Sequence, residues 1–391
     1  MPKLAKNIDC CGCAACFNAC KMQAISMVAN EAGFLYPKII TDKCVECHMC
    51  EKACPAIKCD DFFINYKPRA FIGQHRDDNV RKQSTSGGIF TAIAEVIIGK
   101  GGVVFGASMD EEFVVKHTFV ETINDLSKFR NSKYVQSKIG DSFKKCEEFL
   151  KNDRWVCFSG TPCQIHGLKR FLVEDYNKLI TVDIVCHSVP SPYIFEKYIE
   201  LQKSKYPNIN KLVFRDKSWG YSYSTMAIYE NEKCLYRSGS ESDLWFRSFL
   251  PGLCDRENCY NCRYQTWPRI ADITIWDCFA VGKIDKDFDD NKGTTSIMTW
   301  TPKGTMIIKE FSNLAKTKEV SPDLFKNKIL REKNKKVSVD REQLYKDASM
   351  MTPEEFFNKY RPVTFKVKFK HIAKRLLYIT GLYSFVKNIM N

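Results

Sequence analysis

The sequence predicts an α+β protein in three parts, and three observations support this. Two cysteine-rich runs stand within the first 55 residues. From residue 70 onward, segments with strand character alternate with segments of helical periodicity, which is typical of a mixed α/β domain. Residues 316–346 are highly charged, which favours a solvated helix or linker, so the C-terminal part should be helical. The expected boundaries of the three parts are 1–60, 68–310 and 311–391.

The two cysteine runs share the spacing C-x2-C-x2-C-x3-C, and the second is followed by Pro55. This is the spacing of a bacterial two-cluster ferredoxin, in which the fourth cysteine of each run binds the other 4Fe-4S cluster. Zinc would need two separated cysteine pairs, and a disulfide framework would need an oxidising compartment. Cys11 and Cys59 are expected to be non-ligands. The expected ligands of the first cluster are Cys10, Cys13, Cys16 and Cys54, and those of the second are Cys44, Cys47, Cys50 and Cys20.

The composition favours a globular protein of a reducing compartment. Hydrophobic residues make up 44% of the 391 residues. With no signal segment, no apolar run of membrane-spanning length and 19 cysteines, we expect a cytoplasmic metalloprotein. The formal net charge of +14 favours an anionic partner, such as a phosphate-bearing cofactor, an acidic carrier protein or a membrane surface. Nucleic acid is not an expected partner, because no nucleic-acid-binding motif is recognised.

A hydroxyl- and glycine-rich stretch leads into an apolar helix predicted over residues 89–98. Backbone N–H groups at such a helix start, together with the positive end of the helix dipole, suit a phosphate group. The alternative is an ordinary hydroxyl N-cap, which is common. The candidate phosphate-binding residues are Ser84, Thr85, Ser86, Gly87 and Gly88.

Two further motifs follow predicted strands. Residues 160–164 (GTPCQ) follow a strand predicted over 154–159, and Cys186 with His187 follows one predicted over 179–185. Ligands of α/β sheets bind at such carboxyl ends. His187 is therefore the candidate catalytic proton donor, and a packed structural histidine is the alternative.

These motifs together resemble the coenzyme F420 hydrogenase/dehydrogenase beta-subunit family, over the chain up to about residue 310. The resemblance rests on STSGG at 84–88, GTPCQ at 160–164, VDIVCH at 182–187, and a CxxC at 259–262 ahead of RIADIT at 269–274. The family binds FAD and an iron–sulfur cluster, and its best-known members exchange electrons with the deazaflavin coenzyme F420. The resemblance implies that residues 68–310 form a mixed α/β flavin-binding domain with FAD, and that Thr161, Pro162 and Asp277 lie beside the flavin.

A third 4Fe-4S cluster is expected in this domain. Cys163 and Cys186 each follow a predicted strand of one sheet, and Cys259 with Cys262 presents two thiolates on one turn. The resembling family carries a cluster beside its flavin. Three alternatives stay open: Cys254 replaces one ligand, the CxxC binds zinc with other ligands, or these cysteines are core residues.

The predicted cofactors favour an oxidoreductase. Ferredoxin-type clusters pass single electrons and a flavin stores two, so the pair can reduce or oxidise a deazaflavin or another small acceptor. The alternative is a non-catalytic electron-transfer subunit that feeds a redox partner protein. A purely structural role for the clusters is disfavoured by the ferredoxin spacing beside a flavin-type domain.

The C-terminal tail, residues 361–391, contains seven Lys or Arg and no Asp or Glu. Its apolar residues fall on one face of a predicted helix. A basic amphipathic helix of this kind can contact an anionic membrane surface peripherally, and the favoured alternative is a helix docked on its own domain. The apolar face consists of Ile372, Leu376, Ile379, Tyr383, Val386 and Met390.

Overall fold

The computed structural model describes residues 1–57, 66–330 and 339–383, so Cys59, Val386 and Met390 lie outside the described residues. The strands are β1 (Ile25–Ala29), β2 (Leu35–Ile39), β3 (Arg69–His75), β4 (Val103–Met109), β5 (Val115–Val120), β6 (Val156–Gly160), β7 (Leu179–Ile184), β8 (Lys211–Asp216), β9 (Thr225–Glu230), β10 (Lys233–Gly239), β11 (Ile273–Asp277), β12 (Thr295–Thr299) and β13 (Ala315–Val320). The α-helices are α1 (Ala15–Ala19), α2 (Met49–Lys52), α3 (Asp78–Gln83), α4 (Ile89–Gly99), α5 (Ser142–Lys151), α6 (Pro162–Leu172), α7 (Pro192–Lys205), α8 (Leu244–Phe249), α9 (Val281–Ile284), α10 (Pro302–Glu310), α11 (Asp323–Ile329), α12 (Arg341–Met350), α13 (Pro353–Tyr360) and α14 (Phe365–Ile379).

Residues 1–57 form a small N-terminal unit in which the two cysteine runs have matching geometry. Each run turns into a short helix through a left-handed residue, Ala14 (φ 58°) before α1 and His48 (φ 57°) before α2. The antiparallel β1–β2 hairpin completes the unit. Cysteines make up most of the small apolar cluster at its centre. A core of this size stabilises little by itself, so we expect bound metal to supply much of the folding free energy of this unit.

An eight-stranded mixed sheet forms the centre of the protein, in the order β13-β3-β12-β11-β7-β6-β4-β5. Strands β4, β6, β7 and β11 are parallel, and β12 is antiparallel to both β11 and β3. Strand β3 therefore runs in the same direction as the parallel four. The carboxyl ends of all five strands lie along one side of the sheet, here called the carboxyl edge, where α/β sheets bind ligands.

Helices cover both faces of this sheet. Neighbouring residues of β4 alternate between them, because Val104 belongs to an apolar cluster with α4 and α10, whereas Phe105 belongs to one with α5 and α6. Ala15 of α1 is buried in the second cluster. The N-terminal unit therefore packs against the sheet through α1 and α6.

A second sheet has three antiparallel strands in the order β10-β9-β8. Its buried side chains join those of α7, α8, α12 and α13 in one apolar cluster, which includes the fully buried Tyr198 and Trp245. Helices beyond residue 310 thus take part in the same core as the preceding sheet.

The charged stretch that begins at residue 316 was expected to be a helix or linker, but its first residues form a strand. Strand β13 pairs antiparallel with β3 at the edge of the large sheet, so the sheet extends past residue 310, where the second part was expected to end. Lys316 and Lys318 of β13 are exposed. Edge strands commonly carry exposed charges, which prevent pairing with other chains. Because of these charges, the sequence did not predict a strand here.

Helix α14 is the last described helix. It starts at the N-cap Thr364 and ends at Ile379, shortly before Gly381, whose φ of +74° suits a glycine after a helix end. Within the described ranges, no helix combines the length and apolar character that a membrane crossing requires.

Candidate metal and cofactor site

The cysteines of the two N-terminal runs line two separate cavities. Cys54 has crossed to the cavity of the first run and Cys20 to that of the second, which is the arrangement expected for two cubanes. Among the described residues, no three His, Cys, Asp or Glu side chains converge closely enough to hold a single metal ion. A cubane offers a separate iron to each thiolate, so its ligands need not meet at one point. The first cavity is lined by Cys10, Cys13, Cys16 and Cys54 and also by Cys11, and the second by Cys20, Cys44, Cys47 and Cys50.

Burial favours the neutral thiol at several of these cysteines. Desolvation raises the pKa of Cys16, Cys50 and Cys54 above the usual thiol value. Because iron binds the thiolate, loading these cavities with iron would release protons. Cys47 is exposed, so solvent reaches a cysteine of the second cavity.

Arg256 connects three segments beside the first cavity, and sequence reasoning missed it. Its guanidinium is fully buried. Nε donates to the Cys10 carbonyl (2.7 Å), Nη2 to the Leu35 carbonyl (3.1 Å) and Nη1 to Oε1 of Gln136 (3.2 Å). The guanidinium also lies 4.1 Å from the centroid of the Tyr36 ring. Burial raises the pKa of the Cys10 thiol and the Arg256 charge opposes that effect, so the arginine favours the thiolate at Cys10. A lone arginine gives no signal in the sequence.

Four further cysteines lie close together at the carboxyl edge. Cys163 stands in the first turn of α6, directly after β6, and Cys186 follows β7. The Cys186 thiol is close enough to interact electrostatically with both Cys163 and Cys259, and Cys259 interacts with Cys262. All four are partly buried thiols. We call Cys163, Cys186, Cys259 and Cys262 the edge cysteines.

The turn that carries Cys163 is held by a capping box. Thr161 is the N-cap of α6, and its backbone N–H donates to Oε1 of Gln164 at 2.9 Å. Pro162 occupies the first helical position, where its fixed φ suits the helix. Oγ1 of Thr161 lies 3.1 Å from the Cys163 sulfur. Thr161 and Pro162, expected beside the flavin, therefore shape the turn that presents Cys163.

Arg269 ties the segment after the CxxC to the end of β7. Nη1 donates to the Tyr264 carbonyl and Nη2 to the Ile184 carbonyl, both at 2.8 Å. Arg269 also forms an ion pair with Asp183 at 3.1 Å, and both side chains are buried. Burial raises the pKa of Asp183 and Arg269 opposes the rise. This buried pair explains how two distant stretches of sequence are held at one site.

The first cavity and the edge cysteines are direct neighbours. The Cys11 thiol lies close enough to the thiols of Cys13 and Cys163 for both of them to lower its pKa, and its own presence raises the pKa of each of them. Gly167 of α6 permits this approach, because a Cβ at that position would lie 2.8 Å from the Cys13 sulfur. Cys11, expected to be a non-ligand, thus lies between a ferredoxin-type cysteine and an edge cysteine.

Cys254, the alternative ligand, lies in a different environment. It is fully buried in the apolar cluster of α7 and α8. Burial raises the pKa of its thiol to about 12. Its backbone carbonyl accepts from the Ser191 N–H at 2.9 Å. These contacts are those of a core residue.

The stretch from 84 to 88 lies at the carboxyl edge against the start of β12. Oγ of Ser86 and the N–H of Gly87 each lie 2.8 Å from Oγ1 of Thr295. A Cβ at Gly87 would lie 2.3 Å from the Gly73 carbonyl oxygen, so close backbone packing alone requires glycine there. Gly88 has φ +81°, a conformation that favours glycine. Thr295 was not foreseen, because no local pattern indicated β12.

Cationic side chains surround this stretch. Oγ1 of Thr85 lies 2.8 Å from Oγ of Ser132, next to Lys133. Desolvation lowers the pKa of Lys133 to about 7. Nζ of Lys217 donates to the Ser86 carbonyl at 2.5 Å, and desolvation also lowers its pKa to about 7. Nζ of Lys133 donates to the Lys128 and Arg130 carbonyls, at 2.9 and 2.8 Å, whereas Lys217 contacts the stretch itself. An anion placed here would favour the charged form of Lys217, so the corner suits a phosphate.

Asp277, at the end of β11, is held by two neighbours. Nη1 of Arg215 lies 2.9 Å from Oδ2, and the Tyr221 hydroxyl donates to Oδ1 at 2.8 Å. The Tyr221 ring stacks on Phe279 with centroids 5.2 Å apart. Phe279 is 44% exposed, so the edge beside Asp277 presents an aromatic surface that suits a planar ring.

The His187 ring contacts two residues of the segment that includes α8. Nε2 lies 2.9 Å from the Leu250 carbonyl, and the ring packs edge-on against Phe249 at 5.0 Å. A carbonyl only accepts, so Nε2 carries the hydrogen and Nδ1 carries the lone pair of the neutral ring.

Comparison with known sequences finds two family matches. The family described as the C terminus of the beta subunit of coenzyme F420 hydrogenase/dehydrogenase matches residues 153–323. The family described as "4Fe-4S dicluster domain" matches residues 9–57. The first match contains all four edge cysteines and Asp277, and the second contains both N-terminal runs. The stretch from 84 to 88 lies outside both.

Comparison with individual proteins finds a similar sequence and a similar solved structure. The coenzyme F420-dependent sulfite reductase of Methanocaldococcus jannaschii is 24% identical over 321 residues, which are 77% of this chain and 48% of the relative. The chain thus spans about half the length of that relative. A chain of the F420-reducing [NiFe] hydrogenase complex from Methanosarcina barkeri, solved after xenon derivatization, aligns with 17% identity and a TM-score of 0.48. That alignment covers 75% of this chain and 96% of the hydrogenase chain.

Proposed function

Because the chain belongs to the coenzyme F420 hydrogenase/dehydrogenase beta-subunit family and carries a 4Fe-4S dicluster module, we propose that it is a ferredoxin-linked flavoprotein. In this proposal, electrons pass between the clusters of the N-terminal unit and a bound FAD. The flavin exchanges them in pairs with a small acceptor or donor. Iron–sulfur electron transfer is common to the family. For this chain, we propose in addition a bound flavin and a small acceptor or donor.

The contact between the first cavity and the edge cysteines is the observation that carries this proposal. Cys11 lies beside Cys13 and Cys163, which both lower the pKa of its thiol, and Cys13 itself packs against Gly167 of α6. The second cavity reaches solvent at Cys47. Electrons from a redox partner would therefore enter at the second cavity, cross the first and reach the carboxyl edge, where the cofactor of an α/β sheet is expected.

The edge cysteines are the proposed ligands of a third 4Fe-4S cluster. They are neighbours in space, and the capping box at Thr161 and the Arg269–Asp183 pair fix the segments that carry them. Cys254 has the environment of a core residue, which makes it a weaker candidate. A cluster here would lie between the N-terminal unit and the flavin.

The flavin site is proposed at the same edge. Ser84, Thr85, Ser86 and the N–H groups near Gly88 would meet the phosphates, with Ser132, Lys133 and Lys217 supplying hydroxyl and positive charge. Asp277 and the aromatic pair of Tyr221 and Phe279 would border the ring system. Bound flavin supplies two-electron chemistry that single-electron clusters cannot.

His187 is the proposed proton donor at this edge. Its Nε2 lies 2.9 Å from the Leu250 carbonyl, which fixes the orientation of the ring at this edge, where a histidine can exchange a proton near neutral pH. The small acceptor is proposed to be a deazaflavin or a compound of similar redox chemistry, since the sulfite reductase relative named above is F420-dependent.

Cofactor analysis of anaerobically purified protein tests this proposal. We expect about one releasable flavin per chain. Adding an excess of reduced ferredoxin should bleach the flavin band, and a deazaflavin should then be reduced with turnover. The double variant Thr85→Val, Lys133→Met should lose flavin while its iron content stays unchanged. Lys138→Met, outside this corner, is the matched control and should keep the flavin.

Two results would count against the proposal in different ways. Protein that releases no flavin and takes up neither FAD nor FMN contradicts the flavin site. Protein that binds flavin and accepts electrons, yet passes them only to a protein partner, supports the alternative of an electron-transfer subunit.

A further inference from the structure

Helix α14 exposes an apolar stripe over two heptads. Its members recur with alternating spacings of four and three residues, so they lie on one face of the helix. Their side chains are among the most exposed large apolar groups of the described chain. The stripe consists of Phe365 (83% exposed), Phe369 (62%), Ile372 (57%), Leu376 (56%) and Ile379 (66%).

The opposite face of α14 is docked on the body of the protein. Nδ1 of His371 lies 2.7 Å from Glu241, and Nζ of Lys374 lies 2.8 Å from the same carboxylate, which is almost fully buried. The Tyr378 hydroxyl lies 2.9 Å from Oγ of Ser222. The helix is therefore held in place through polar groups, and these contacts leave the apolar stripe facing outward.

We propose that this stripe docks on an anionic lipid membrane surface. Lys366 and Lys368 flank the stripe on its two sides, and no acidic residue occurs from 361 to 391. An interfacial helix of this kind buries Phe and Leu side chains below the headgroups, while lysines at its borders reach the lipid phosphates. This inference is independent of the flavin and of the third cluster.

Charge argues against a second copy of this chain as the occupant. A coiled coil would also use the four-and-three spacing, but two heptads are short for one, and complementary charges are needed beside the seam. A second α14 would bring Lys366 and Lys368 against the same lysines. Anionic headgroups complement them instead.

Co-sedimentation of the full-length protein with vesicles tests the proposal. The probes are vesicles of phosphatidylglycerol and phosphatidylcholine in a one-to-three ratio, and of phosphatidylcholine alone. We expect binding to the anionic vesicles that falls as salt rises from about 50 to about 500 mM, because the lysines are screened. Binding to neutral vesicles should be at least about tenfold weaker.

Three variants separate the contributions of the stripe and the lysines. Phe365→Ser with Phe369→Ser should weaken partitioning at least about tenfold. Lys366→Gln with Lys368→Gln should weaken it by about fivefold for each lysine. Met350→Ser, which removes a 75% exposed apolar side chain of α12, is the matched control and should bind as wild type.

Three results would overturn the proposal. The first is equal binding to anionic and neutral vesicles. The second is binding by the Phe365→Ser, Phe369→Ser variant that matches wild type. The third is a dimer in solution that this double variant converts to a monomer, because the stripe would then be covered by a second copy.

Discussion

The thiols of Cys11 and Cys163 lie close enough, across the contact between the N-terminal unit and the large sheet, for Cys163 to lower the pKa of Cys11 and for Cys11 to raise the pKa of Cys163. Cys11 and Cys13 of the first cavity affect each other in the same way. Two proposed cluster sites are therefore separated by a single side chain. Electrons could pass between them without an intervening partner protein.

Iron content distinguishes the proposed ferredoxin-type ligands from the neighbouring Cys11. Cys47→Ser should lower iron by about four atoms per chain, because it removes one ligand of one cubane. Cys11→Ala should leave the iron content at the wild-type value, since both cavities have four cysteines without it. Chemical iron and sulfide analysis after anaerobic purification measures both. Loss of about four irons from Cys11→Ala would show that Cys11 is a ligand.

Replacing Arg256 should destabilise the contact around the first cavity. Arg256→Leu leaves the Cys10 and Leu35 carbonyls without their buried donor, at a cost of about 3 to 5 kcal/mol. Arg341→Leu is the matched control. Arg341 donates to the Asp255 carbonyl and is less buried, so its loss should cost about 1 kcal/mol. Urea unfolding of the anaerobic proteins gives the comparison. Equal midpoint shifts in the two variants would mean that Arg256 has no special role.

Stability should fall in mild acid because of His117. Desolvation lowers its pKa from 6.5 to about 4 in the folded protein, where the ring bonds to Ser137 and the Ser159 carbonyl. The unfolded chain therefore binds a proton that the folded chain does not. The stability that neutral His117 contributes to the folded protein is complete above pH 6.5 and is lost as the pH falls toward 4.

A variant isolates the His117 effect from other groups. Between about pH 7.5 and about pH 5.5 the wild type should lose about 1 kcal/mol more stability than His117→Gln, whose side chain stays neutral. Urea midpoints at the two pH values measure the difference. Identical losses in the two proteins would show that His117 can be protonated without cost.

Local patterns in the sequence were sufficient to predict several parts of the structure. The cysteine spacing, set by the chemistry of the cubane, predicted that Cys20 and Cys54 exchange places between the two cavities. Apolar runs predicted β4, β6 and β7, because buried parallel strands are continuously hydrophobic. The strand ends then placed Cys163 and Cys186 at one edge.

Other parts depend on contacts that no local pattern records. Arg256, Thr295 and Ser132 are ordinary residues in the sequence and gain their roles from partners far along the chain. Strand β13 was not predicted, because the charges that protect a sheet edge resemble those of a solvated helix or linker. Gly87 was expected to admit a phosphate, and the structure shows that backbone packing requires glycine there in any case.

Iron and sulfide counts of Cys262→Ser, purified without oxygen, test the proposed electron path most directly. The wild type should contain about twelve irons and twelve sulfides per chain, and Cys262→Ser about eight of each. Cys254→Ser, in the neighbouring apolar core, should keep about twelve. Retention of the two N-terminal clusters in Cys262→Ser confirms that the variant folds. A wild type with about eight irons, or a Cys262→Ser variant that matches it, would contradict a third cluster between the N-terminal unit and the flavin.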